Sequence, residues 1–511
     1  MKKILLAVVF LSTTFYLFSQ LQSIDNEILT IELQKVYDKW ESPAIAIGIV
    51  KDGEIVYEKG FGVLEYGKKQ KADEYTNFAI ASNTKTFTSA ALSILVDEGR
   101  ISWDDKVRKY IPWFTLYDPY VSENMTIRDL LCHRSGLETF SGDLIWYGSD
   151  HSREEVIKRA QYLEPVYGFR EHFGYSNIMF LTAGQIIEYV TDTTWDDFLK
   201  YRIFEPLGMT RTNTSITTNA KLDNVSSCHT ESEGKTVVIP YINWDNIGPA
   251  GSINSNVHDM SQWMILQLNK GKFNDKKIFS AERSDEMWSA QTVMEVSPFT
   301  KQLNPSTHLK AYGLGWTLYD YKGYLIVTHN GGYDGMISQT VLIPELNTGF
   351  VVLTNSLSMV YMPLMNQLLD YLIDSEISSK WSDYYLDIKK WIDEYDAEER
   401  QAWVNARVPD TKPTYELSEY AGIYSSDVYG DVEISINKEN LYLTMKHTEI
   451  YQGKLEHWHF DTFSVKFDKA PSLPEGSVTF IVDKYGKINE MKIDIPNPDF
   501  DFTELKLYKQ N

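Results

Sequence analysis

A chain of 511 residues with 43% hydrophobic and 23% charged residues is too long for one ordinary core and too apolar for extended disorder, so two folded domains are expected. A formal net charge of −22 sets it against nucleic acid and anionic membrane as partners. Cys132 and Cys228 do not form a disulfide framework, and Cys132, within Leu130-Leu131-Cys132, reads as a small core residue.

In chain order, Lys2 and Lys3 precede an apolar run over residues 4–18 and the small residue Ser19, which reads as an export signal over residues 1–19. The run is short of the about 20 residues that a spanning helix needs. No cysteine near the expected cleavage point could take a lipid, so the mature chain is expected outside the cytoplasm (periplasm or extracellular) with no stable membrane anchor. Residues 44–50 and 55–57 are apolar and flank Lys51-Asp52-Gly53-Glu54, a β-hairpin pattern. After Ser82 the period changes: Phe87, Ala91, Ile94 and Leu95 fall on one helical face that stops near Gly99. Further helices are expected over 127–132, 178–190 and 260–268, and strands over 324–327, 339–343 and 350–353. Strands at both ends with helices between them predict an α+β domain over 25–375, an antiparallel sheet built from both ends and flanked by helices.

Residues 376–412 read as a helical linker, with helical spacing over 381–404 and a break at Pro409-Asp410-Thr411-Lys412-Pro413. Residues 413–511 carry short alternating runs at 432–436, 441–443, 478–482 and 491–495, separated by turn residues. That spacing predicts a small all-β barrel or sandwich.

The chemistry concentrates at Ala81-Ser82-Asn83-Thr84-Lys85. A serine at a helix start and a lysine one turn later share a face. The hydroxyl needs a neighbouring base, and a desolvated lysine loses its proton readily. The helix N-terminus adds partial positive charge and backbone N–H groups. Spacing alone is weak, because Ser435-Ile436-Asn437-Lys438 repeats it, and Tyr-x-Asn occurs at Tyr75, Tyr175 and Tyr241. Taken singly, Ser82 could be a helix cap, Tyr175 a half-buried aromatic and His329 a strand residue. His133 reads as structural. His457-Trp458-His459 places two histidines on one strand face, a metal pair or a structural one; with no third ligand in sequence the structural reading is preferred.

Order and context raise the signal. Ser82-Asn83-Thr84-Lys85, Tyr175-Ser176-Asn177 and His329-Asn330-Gly331 resemble the three motifs of serine β-lactamases and penicillin-binding proteins. The tyrosine points to the class C β-lactamase group with its D,D-peptidases, D-aminopeptidases and esterases. Residues 130–137, Pro206-Leu207-Gly208-Met209, Gly313-Leu314-Gly315-Trp316 and residues 331–335 are similar to the same group. The C-terminal unit resembles the lipocalin-like β domain appended to some of these hydrolases. The resemblance implies Ser82 as nucleophile, Lys85 as its proton acceptor, and Tyr175 sharing the base role and returning the proton to the leaving group. It implies Asn177, His329, Gly331 and Gly332 as substrate-binding residues, with an oxyanion hole made by the N–H groups of Ser82 and Gly332.

His329 stands where many relatives carry lysine. It is therefore expected to be largely neutral at pH 7, and to favour anionic substrates as it gains a proton near pH 6.5. The expected function is an exported serine hydrolase working through an acyl-enzyme on peptide-like amides, D-amino-acid peptides, β-lactams or small esters, without metal or organic cofactor. A slowly turning over penicillin-binding sensor and a non-catalytic assembly protein are the alternatives. The expected partner is a small-molecule or peptide substrate, and a homo-oligomer is left open.

Overall fold

The computed structural model describes residues 25–510 except 233, 378, 379 and 498. The expected export signal, residues 1–19, lies outside the described residues. Among the described residues no helix is long and apolar enough to cross a membrane.

The hairpin expected near the N-terminus forms β1 (Ala44–Lys51) and β2 (Glu54–Gly62). These join six later strands: β3 (Thr292–Met294), β4 (Lys310–Tyr312), β5 (Thr317–Tyr321), β6 (Tyr324–Tyr333), β7 (Met336–Ile343) and β8 (Thr348–Thr354). The strand order is β2-β1-β8-β7-β6-β5-β4-β3, antiparallel throughout. The sheet is thus built from both ends of the domain, as expected, and β1 pairs β8 from Ile45 opposite Thr354 to Lys51 opposite Thr348.

Alternation along the central strands divides the core. Ile45, Ile47, Ile49, Phe350 and Val352 face one side with Leu364 and Leu368, whereas Ala46, Val50, Val351 and Leu353 face the other. The first side is covered by α1 (Asn26–Trp40), α5 (Tyr361–Asp374) and the start of α6 (Lys380–Asn405). The second is covered by the helical region that contains α2 (Thr84–Asp97), α3 (Asn177–Thr191) and α4 (Val257–Leu268). Burial on both faces explains why β8 is buried along its whole length and reads as a continuous apolar run.

The C-terminal unit is a closed eight-stranded barrel: β9 (Gly422–Ser426), β10 (Gly430–Asn437), β11 (Asn440–Met445), β12 (Gln452–His459), β13 (Thr462–Val465), β14 (Gly476–Val482), β15 (Ile488–Asp494) and β16 (Leu507–Lys509). Eight strands leave an interior that side chains can fill. Tyr420, Tyr424, Phe463 and Phe480 pack edge to face or tilted at 5.0–5.7 Å inside it, and Val432, Ile434, Leu443 and Met491 are buried with them.

Helix α6 is a strut. Its first turn is fixed to the hydrolase layers, with Trp381 Nε1 donating to Asp370 (2.8 Å) and Ser382 accepting from Trp40 Nε1 (2.8 Å). Its far end stacks Trp403 on barrel residue Trp458 at 3.9 Å. The histidines considered as a metal pair serve this junction. His457 Nε2 bonds the Phe460 carbonyl (2.9 Å), and His459 Nδ1 accepts from the Val408 amide (3.2 Å).

Candidate active site

Ser82 sits in a 3₁₀ turn, Ala81–Asn83, that runs directly into α2. It caps nothing: Asn83 occupies the cap position, without a side-chain cap bond. Ala81 before it holds φ at 45°, a left-handed conformation that costs a non-glycine residue about 1 kcal/mol or more and is often found at functional sites. The turn is braced by Asn83, whose Nδ2 donates to Ser338 Oγ (2.8 Å) while Ser338 donates to the Ile80 carbonyl (2.6 Å).

Strand β6 passes close to the turn, and Gly331 is the reason it can. A Cβ there would lie 2.2 Å from the Ile80 carbonyl oxygen and 2.8 Å from the Ser82 amide nitrogen. Gly332, the next residue, is exposed and has open space around it, with only Ile337 Cδ1 near, at 3.8 Å. Glycine in the third motif is therefore a packing requirement that brings a strand backbone up to the serine.

Lys85 follows one turn after Ser82 and is fully buried. Its Nζ lies 3.0 Å from Ser82 Oγ, 2.7 Å from Asn177 Oδ1 and 2.9 Å from the Ala250 carbonyl. Burial strips hydration from the ammonium and lowers its pKa to about 7, with Asp143 opposing. Asn177 opens α3, and its Nδ2 donates to Asp143 Oδ2 (2.7 Å). Asp143 also accepts from Trp146 Nε1 (2.8 Å). Burial raises its carboxyl to about 7, against the bonds from Trp146 and Asn177 and the charge of Lys85. The chain of groups therefore runs serine, lysine, amide, carboxyl.

Tyr175 lies two residues before Asn177, its ring 4.7 Å from Lys85 Nζ. Burial pushes its phenol well up, partly offset by a hydrogen bond with Ser82, so it carries its proton at neutral pH. Its backbone is held by the Thr139 hydroxyl and the Phe140 amide. His133 supports the same turn: its Nδ1 accepts from the Ser176 amide (3.0 Å) and its ring packs 4.2 Å from that of Tyr175. The structural reading of His133 fits this placement.

His329 corrects one expectation. It is 2% exposed, Tyr312 OH bonds its Nε2 (2.8 Å), and its Nδ1 bonds the Asn330 carbonyl (2.6 Å). Burial, with Lys85 nearby, lowers its pKa to about 3. The imidazole stays neutral across the working range, so the expected gain of positive charge near pH 6.5 does not occur. A lone sequence could not show that a strand histidine loses its hydration.

The seven sequence-derived residues Ser82, Lys85, Tyr175, Asn177, His329, Gly331 and Gly332 thus fall at one locus. The decoys do not join it. Ser435 and Lys438 lie on β10 and its turn, Tyr75 is exposed, and Tyr241 bonds the Ser226 carbonyl. Sequence reasoning missed Asp143 and the Ala250 carbonyl. A lone aspartate in the apolar context Gly142-Asp143-Leu144-Ile145-Trp146 was the available signal. Asp143→Asn should turn an N–H toward Trp146 or Asn177, lower kcat/KM about tenfold, and move the Lys85 titration to lower pH by removing a negative charge. An unmoved pH profile would take Asp143 out of the proton network.

Beside Tyr175 a cleft of about 460 Å³ opens between Glu138–Ser141 and barrel loop 494–504. Its lining includes Glu138, Asp494, Asp499, Asp501 and Glu504. Burial raises the carboxyls of Asp499 and Glu504, and Glu504 accepts from the Gly142 amide (2.9 Å). The barrel therefore forms one wall next to the site.

A serine hydroxyl on a buried amine, with a phenol and the glycine-bearing backbone of β6 beside it, defines a serine hydrolase. A family model described as "Beta-lactamase" matches residues 34–371, and this chain belongs to that family. A second model, "Domain of unknown function (DUF3471)", matches residues 406–509. The chain is 28% identical over 429 residues to an unguisins hydrolase of Aspergillus campestris, covering 80% of this chain and 77% of the relative. It is 31% identical over 348 residues to protein flp of Staphylococcus aureus, covering 67% of this chain and 64% of that one. Among solved structures, the octameric penicillin-binding protein homologue from Pyrococcus abyssi matches with TM-score 0.62 and 23% identity, over 95% of this chain and 100% of that one. A D-stereospecific amidohydrolase from Streptomyces matches with TM-score 0.52 and 21% identity, over 64% of this chain and 94% of that one.

Proposed function

We propose that this protein is an exported hydrolase that cleaves peptide-like amides through an acyl-enzyme on Ser82. The observation that carries the reading is the set of partners around Lys85. A neutral amine has two N–H groups and one lone pair. Asn177 Oδ1, fixed as an acceptor by the Asn177–Asp143 bond, and the Ala250 carbonyl can only accept, so they take the two N–H groups. The lone pair is left for the Ser82 hydroxyl at 3.0 Å.

In this mechanism Lys85 accepts the Ser82 proton as Oγ attacks the amide carbonyl. The N–H groups of Ser82 and Gly332 hold the oxyanion. Tyr175, kept protonated by burial, hands a proton to the departing amine and is refilled from Lys85. Water then attacks the ester, and the proton returns to Ser82. The names of two relatives, an unguisins hydrolase and a D-stereospecific amidohydrolase, support amides as the substrate class, with D-residues among the candidates. Export rests on the N-terminal sequence pattern.

His329, kept neutral by burial, offers no positive charge to a substrate carboxylate. The test is a panel of neutral, cationic and carboxylate-terminated D- and L-peptide amides, small esters and a chromogenic β-lactam. Amides without a carboxylate should give the highest kcat/KM, and the ratio of carboxylate-bearing to neutral substrate should stay flat from pH 5 to 8. A ratio that climbs as pH falls through 6.5 would restore the charge role to His329. A stable stoichiometric β-lactam adduct with no amide turnover would favour the penicillin-binding sensor instead.

A further inference from the structure

Where the hydrolase domain meets the barrel, Asp150 and His151 approach barrel residue His447. One ligand atom from each lies within 4.8 Å of the other two. The His151 and His447 rings are 4.1 Å apart, and His447 Nδ1 bonds Asp150 Oδ1 at 2.8 Å. The backbone closes the same contact, with the Asp150 amide donating to the His447 carbonyl (3.0 Å).

We infer that Asp150, His151 and His447 form a divalent transition-metal site of the zinc class that ties the barrel to the hydrolase domain. Two imidazoles and a carboxylate, with water in the fourth position, are a donor set suited to zinc and poorly suited to magnesium or calcium. The three donors need to close to roughly 3.3–3.6 Å from one another around an ion bound at 2.0–2.2 Å, a movement within reach of side-chain rotation. Asp150 is exposed and free to make it, its side chain being 73% accessible.

A second observation sets this cluster apart from a surface ion pair. His151 is buried, 7% exposed, and its Nε2 bonds the Tyr429 carbonyl of the barrel at 3.1 Å. A carbonyl only accepts, so the proton sits on Nε2 and the Nδ1 lone pair is free. That is the arrangement by which outer-shell carbonyls orient metal-ligating histidines. Gly430 makes room for the partner: a Cβ there would lie 2.9 Å from His447 Nε2. The nearby guanidinium of Arg159 is engaged by Glu155 (2.9 Å) and by the Asp427 and Val428 carbonyls (3.1 and 3.3 Å).

The experiment uses untagged full-length protein, stripped with chelator and titrated with Zn²⁺ by calorimetry, with Co²⁺ absorption as a geometric readout. One ion per chain should bind with a Kd of micromolar or tighter, give the visible bands of four-coordinate cobalt, and raise Tm by several degrees at about a hundredfold excess over Kd. His447→Gln and Asp150→Asn, at accessible positions, should each weaken binding at least tenfold. His457→Gln, in the half-buried pair used by the strut, should leave it unchanged. Absence of saturable binding overturns the proposal, as does binding that His447→Gln and His457→Gln affect equally. Because the readouts are metal affinity, spectrum and Tm, failure here is distinct from failure of the Ser82 chemistry.

Discussion

Replacing Ser82 by alanine should abolish labelling by a serine-reactive fluorophosphonate and lower kcat/KM by about 10⁴-fold or more. The Tyr175 phenol beside it is kept protonated by burial and is no substitute nucleophile, and the Ser338 hydroxyl is engaged by the Ile80 carbonyl. The fold should persist. Ser82 caps no helix, and its turn is held by the Asn83, Ser338 and Ile80 bonds, none of which uses the Ser82 side chain. Tm should therefore shift by no more than a few degrees, which separates loss of chemistry from loss of structure. Retained labelling at an unchanged Tm would place the nucleophile elsewhere.

The second large effect belongs to Lys85. Its pKa, lowered by burial to about 7, makes the free amine the dominant form above that pH. For a neutral substrate, kcat/KM should rise as pH climbs through about 7 and level off above. Lys85→Arg keeps a cation but has no lone pair to offer in the accessible pH range. It should cost 10²–10⁴-fold, the usual range for a lost acid–base group, and erase the pH-dependent rise. Tyr175→Phe should fall in the same range for amides, whose amine must leave protonated, and cost less for esters of acidic alcohols, which leave without help. A parent profile flat from pH 5 to 9, or an active Lys85→Arg, would contradict a lysine base.

The serine and lysine were legible because a helix fixes their relation: three residues apart is one turn, wherever the rest of the chain goes. Tyr175, Asn177, His329 and Gly331 were legible through motif order, a resemblance rather than a derivation. Asp143 was not, because it reaches Lys85 through Asn177, and no spacing along the chain encodes a contact between the starts of two separate helices. The charge of His329 was misread for a related reason: sequence gives the imidazole but not its solvent. In the fold, long apolar or alternating strands announced themselves, whereas β3 and β4 at the sheet edge, three residues each, are too short to carry a period. Barrel and sandwich stayed undecided at sequence level because closure depends on β9 meeting β16, a pairing across the whole unit.

The pairing of β1 with β8 has a consequence for the newborn chain. Lys51 faces Thr348 in the finished sheet, so the segment bearing Ser82 emerges from the ribosome long before its supporting strand exists. At about 5–20 residues per second the wait is tens of seconds. Closing so large a loop before the pairing contributes any stabilisation makes folding slow. Through that interval β1, a nearly unbroken apolar run, has no partner except β2. A chain truncated before β8 should therefore accumulate as insoluble material rather than as a smaller hydrolase.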